Sequence, residues 1–100
     1  MMDELFRRDY SERLFFALFE VPSERYPFLC KAIRDHFHLV ATDSLVIGPD
    51  VLFQNYSRDG HEVGLEWDIW MGFSVTANSP DSEVLVREIG GWLFESGISN

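Results

Sequence analysis

Apolar residues in the first twenty positions return at steps of four: Phe6, Tyr10, Leu14 and Leu18, with Ala17 alongside and Phe15 and Phe19 widening the stripe. That spacing predicts a helix from Asp3 to Glu20, with Arg7, Arg8, Glu12 and Arg13 on its other side. Phe16 falls outside the stripe and reads as a contact position. Val21-Pro22-Ser23 ends the element, because proline disfavours helical geometry in the residue before it. A second helix starts near Pro27, whose fixed φ suits a first turn. Phe28, Leu29, Ala32, Ile33 and Phe37 repeat along it at helical spacing, and Lys31, Arg34, Asp35 and His38 form its wetter face. The short connection predicts an antiparallel helix pair.

The period then changes. Ser44–Gly48 is a short strand candidate ended by Gly48-Pro49-Asp50, and Val51–Ser57 is a stronger one. Asp59-Gly60 supplies the positive φ of a tight hairpin turn, so His61–Asp68 returns as the partner strand. Val63, Leu65, Trp67 and Ile69 alternate to one side; Glu62, Glu66 and Asp68 alternate to the other, with Gly64 as a gap. Gly72 marks a bulge or bend, after which Phe73, Val75 and Ala77 continue the sheet. Ser79, Pro80 and Asp81 signal a helix start. Val84, Leu85, Ile89, Trp92 and Leu93 form its stripe, and Gly97 is its stop. Gly90-Gly91 interrupts it at roughly 1 kcal/mol each, a cost that close packing on the sheet would offset. The expected fold is α+β: two N-terminal helices, a small antiparallel sheet of about three strands, and a C-terminal helix on one sheet face.

One hundred residues, with 46% hydrophobic and 15% aromatic, suit a single domain over 1–100 with a real core. The single cysteine, Cys30, excludes an internal disulfide and reads as a small buried hydrophobe in a reducing compartment. The N-terminus has no signal-peptide apolar run, and no stretch approaches the ~20 apolar residues of a membrane span. The expected location is the cytoplasm. Charge sharpens the picture. Residues 1–40 are near balance, whereas residues 41–100 hold ten acids against Arg58 and Arg87, so −8 of the formal −9 lies there. A field of that sign repels nucleic acid and anionic membranes and attracts basic partners.

Catalytic and cofactor signatures are absent. There is no P-loop, dinucleotide fingerprint, G-x-S-x-G elbow or EF-hand loop. Carboxylates alternating along one strand lie too far apart to chelate a metal without other loops. His36 and His38, if both helical, point to nearly opposite sides and cannot share one; His61 reads as an exposed neighbour of the turn. The sheet aromatics Phe53, Tyr56, Trp67, Trp70 and Phe73 suit base stacking, but the basic footprint of nucleic-acid readers is missing. What stands out is the acidic strand face: Glu62, Glu66 and Asp68, with Trp70 at the same parity and Asp59 at the rim. Acids around an exposed indole suit an interface with a basic protein. They also read as the solvated side of a half-covered sheet.

In size, charge and lack of a catalytic signature, the chain resembles the small acidic immunity proteins that bacteria make against their own toxins. The stretches Glu66-Trp67-Asp68-Ile69-Trp70-Met71-Gly72-Phe73 and Leu85-Val86-Arg87-Glu88-Ile89 carry the same look. The nuclease-colicin immunity proteins are all-helical, and this chain's strand signals depart from them. The resemblance implies a non-enzymatic inhibitor without metal or cofactor that binds a cognate toxin in the cytoplasm. The alternatives are a homodimeric adaptor or chaperone-like module that uses Phe16, and a small carboxylate-dependent enzyme.

Overall fold

The structure is a computed structural model and describes residues 5–98. The chain runs β1 (Phe6–Arg8), β2 (Leu14–Leu18), α1 (Tyr26–Phe37), β3 (Val40–Ala41), β4 (Val46–Ile47), β5 (Val51–Arg58), β6 (His61–Asp68), β7 (Gly72–Ala77) and α2 (Glu83–Ser96). Single 3-10 turns at Ser23–Arg25 and Pro80–Ser82 lead into the two helices. The described strands form one seven-stranded antiparallel sheet in the order β1-β2-β7-β6-β5-β3, with β4 also pairing β5.

The expectation of two N-terminal helices and about three strands is therefore overturned. The described part of the first segment is a β-hairpin; Asp3 and Glu4 lie outside the described residues. Local chemistry explains the difference. The Asp9 carboxylate accepts from the amides of Ser11 and Arg13, both at 2.9 Å, and Glu12 takes a left-handed φ of 62°. Such side-chain-to-backbone bonds compete with helix and favour a turn. The run Leu14-Phe15-Phe16-Ala17-Leu18 is aromatic-rich and apolar at every position, which suits a strand but leaves periodicity ambiguous. Tyr10 is an exposed turn residue, and Phe16, at 0% exposure, is at the centre of the core.

The later elements follow local rules closely. Asp59 and Gly60, with φ of 54° and 82°, make the two-residue turn between β5 and β6. His38 ends α1 in the left-handed region, so it is not helical, and the Leu39 amide reaches back to the Arg34 carbonyl at 2.9 Å. Gly97 closes α2 the same way. Two stripe positions are corrected. Val84 is exposed while Val86 is buried, and Ile69 lies in the turn after β6, exposed.

Both helices cover one face of the sheet. Its inward residues include Phe6, Leu14, Phe16, Tyr56, Val63, Leu65, Phe73, Val75 and Ala77, packed against Leu29, Ile33, Val86 and Ile89. Tyr26 crosses from α1 to donate to the Leu65 carbonyl at 2.7 Å, and Trp67 Nε1 donates to the Val21 carbonyl at 2.8 Å. Gly90 is the contact point of α2: a Cβ there would lie 2.8 Å from Phe6 Cζ and 3.2 Å from Phe16 Cε2. The close approach that Gly90-Gly91 suggested is thus made by Gly90 against two phenylalanine rings.

Candidate functional site

Among the described residues, no helix lies on the opposite face of the sheet. Strand register sets out its rows. In the central row Phe53, Glu66, Ser74 and Ala17 stand side by side across β5, β6, β7 and β2. One row toward the Asp59 turn come Asn55, Gly64, Thr76, Phe15 and, on β1, Arg7. One row the other way come Val51, Asp68 and Gly72, beyond which Phe19 follows β2. Glu62, Glu66 and Asp68 therefore do share the uncovered face, because residues two apart on a strand point the same way.

The five candidate residues are not one cluster. Asp59 and Trp70 sit in the turns at opposite ends of β6, about 25 Å apart at ~3.3 Å per strand residue. Trp70 is off the strand and 81% exposed. Glu62 is engaged by its neighbours: Thr42 Oγ1 donates to it at 2.7 Å and Asn78 Nδ2 at 3.1 Å. The same Asn78 amide donates to Asn55 Oδ1 at 2.8 Å, and Asn55 Nδ2 donates to Asp43 at 2.7 Å. This polar ladder closes the Glu62 end of the face. Asp68 Oδ1 accepts from the amides of Trp70 at 2.9 Å and Met71 at 2.6 Å, so half of that carboxylate caps the β6–β7 turn.

Glu66 stands apart from these. No donor among the described residues reaches its carboxylate. Partial burial, followed by the neighbouring Asp68 charge, holds its pKa above the ordinary carboxyl range; Arg13 opposes this more weakly. Arg13 is itself held by Asp9 at 2.8 Å. Among the described residues, none of Asp59, Glu62, Glu66 and Asp68 joins an ion pair; the five pairs there are use other acids, such as Glu83 with Arg8 and Glu88 with Arg58.

Sequence reasoning missed the other half of this face. The helix expectation covered Phe15, Ala17 and Phe19; in the fold Phe15 and Ala17 point outward from β2 beside β7, and Phe19 follows in the turn after it. Phe19 is 66% exposed. A depression of about 170 Å³ lined by Leu5, Arg7, Phe15, Ala17 and Phe19 runs along it. The signal available was that Leu14 to Phe19 is apolar at odd and even positions alike. Phe53 lies across Gly64, whose Cβ position is 3.0 Å from Phe53 Cε1. Ser74, between the two halves, is 5% exposed although no element covers it, and its hydroxyl has no hydrogen-bond partner among the described residues.

Elsewhere the chemistry-bearing groups are spent on structure. Cys30 is buried, and burial pushes its thiol up to about 12, so it is unreactive at neutral pH. His36 stacks on Trp92 with ring centres 4.2 Å apart. His61 is half-buried rather than exposed, and its Nδ1 is enclosed without a partner. Among the described residues no group of three or more His, Cys, Asp and Glu is placed to hold a metal, and no helix is long and apolar enough to cross a membrane. Compared with protein-family models, with curated proteins and with solved structures, the chain matches none of them.

Proposed function

We propose that this protein is a non-catalytic, cytoplasmic binding module of the immunity type, which occludes a basic domain of a cognate toxin with its open sheet face. The observation that carries this reading is a face without a helix on which Glu66 and Asp68 stand two residues apart on one strand and join no ion pair among the described residues. A fold that needed these charges only for solubility would gain as much from scattering them. Holding two adjacent carboxylates on one partly buried strand costs free energy that an incoming cation would return. The charge of residues 41–100 steers the encounter, and the exposed aromatics Trp70 and Phe19 add area that slows release.

The argument for a homodimer that used Phe16 falls away, because that ring is sealed in the core. The docking reading is tested by charge reversal at Glu66. Asp68 is kept, because removing it would also unseat the turn that carries Trp70. Wild-type and Glu66→Lys proteins serve as paired baits for host and toxin-bearing lysates. A basic polypeptide held at low salt by the first and lost by the second supports the reading. Equal retention by both, at low and high salt, removes this face from consideration.

A further inference from the structure

The floor of the open face beside Glu66 is made of small residues. Gly72 and Ser74 of β7 lie between the carboxylates of Glu66 and Asp68 on β6 and the rings of Phe15 and Phe19 on the β2 side, where Ala17 separates the two rings. Two strand spacings separate those walls, about 10 Å. We propose that this well seats one arginine side chain of the partner, its guanidinium forked onto Glu66 and Asp68 over the Ser74 hydroxyl and its stem along Phe15 and Phe19.

Four features point to that occupant. Ser74 is 5% exposed, its hydroxyl has no partner among the described residues, and strand parity turns it to the open face. Its oxygen can accept a hydrogen bond that nothing else in the described chain supplies. The carboxyl groups of Glu66 and Asp68 are close enough to share a hydrogen bond, no N–H or hydroxyl among the described residues donates to Glu66, and one oxygen of Asp68 caps the turn. The paired carboxyl groups on β6 and the Ser74 hydroxyl on β7 offer several acceptors on neighbouring strands, which suits the planar, five-donor guanidinium better than a compact ammonium. The aromatic wall favours a flat, weakly hydrated cation for the same reason. Charge explains why the seat lies on this side of the face: Arg7 stands on β1 at its far edge, so a cation is drawn toward the acids of β6.

This assignment rests on the docking reading but is tested without a protein partner. The full chain, labelled with ¹⁵N, is titrated with N-acetyl-arginine amide, with the neutral isostere N-acetyl-citrulline amide, and with N-acetyl-lysine amide. Saturable shifts centred on the amides of Gly64 to Asp68 and Gly72 to Ser74 are expected for arginine. Binding should be about tenfold weaker for citrulline, with lysine between them. Glu66→Gln should lower the arginine affinity about tenfold and Ser74→Ala about threefold. The covered face is untouched in both variants, so their spectra should otherwise match the wild type. Shifts scattered over other acids, equal binding of citrulline, or no saturable binding overturns the proposal. Arginine seated in the well while polypeptide capture ignores Glu66→Lys would leave the seat standing and remove the docking reading. Capture that depends on Glu66 while citrulline binds as well as arginine would do the reverse.

Discussion

The two faces of one sheet differ more than any two elements of this chain. On the covered face β1, β2, β5, β6 and β7 contribute side chains that two helices seal, and the contact reaches ring-against-glycine closeness at Gly90. On the open face the same strands alternate aromatic, acidic and small residues, and the Ser74 hydroxyl has no hydrogen-bond partner among the described residues. Strands β2 and β6 each supply both kinds of residue. The difference shows that burial here is set by which side of a strand a residue occupies, and that side is decided by register.

The largest expected effect tests that rule within one strand. Phe16→Ala removes a fully buried ring and should cost about 3–5 kcal/mol, whereas the adjacent Phe15→Ala on the open face should cost about 1 kcal/mol or less. Urea denaturation of both variants checks this, and equal losses would break the comparison. Glycines sharpen it next. Gly90→Ala drives a methyl into the rings of Phe6 and Phe16, which have no room to yield, and should destabilise by about 1–3 kcal/mol despite the better helix propensity. Gly64→Ala meets side-chain atoms alone, the Phe53 ring at 3.0 Å and Asn55 Oδ1 at 3.3 Å, both of which can give by a few tenths of an ångström, so its effect should stay within about 1 kcal/mol.

A smaller effect isolates the electrostatics of the open side. The Glu66 pKa is raised in the folded state by burial and by Asp68, so the folded protein holds this proton more tightly than the unfolded chain. Ionised Glu66 therefore opposes folding at neutral pH, and that opposition fades as pH falls through the raised pKa toward the ordinary carboxyl range. Glu66→Gln should stabilise by about 0.5 kcal/mol or less at neutral pH after solvent screening, and the gain should vanish in acid. Melting curves for both proteins across that window give the sign; a gain that persists unchanged in acid would refute the cause assigned to it. The smallest expected change in stability is that of Trp70→Ala, within about 0.5 kcal/mol, since the indole stands in solvent. Its loss should instead weaken capture of a basic partner, read in the same paired-bait assay.

Short-range chemistry made part of this molecule legible in advance. The Asp59-Gly60 turn, the alternation of β6, the Ser79-Pro80-Asp81 start and the Gly97 stop each depend on a few neighbouring residues. The placement of Glu62, Glu66 and Asp68 on one side of a strand followed from the same local geometry. The N-terminal segment was misread because an apolar stripe at four-residue steps and an apolar strand share many positions. The Asp9 turn that separates them is a matter of side-chain hydrogen bonds, not of hydropathy.

Residue order alone dictated where the chain turns and which side chains alternate, since torsional preference and capping act within a few bonds. Pairing of β2 beside β7, the bare state of the acidic side, and the meeting of Ser74 with Glu66, Phe15 and Phe19 were decided by tertiary structure. Phe15 and Phe19 lie more than fifty residues from Ser74 in the chain. Only the closing of a core between the sheet and its two helices brings them side by side, because burial of apolar area rewards contacts whatever their distance in sequence.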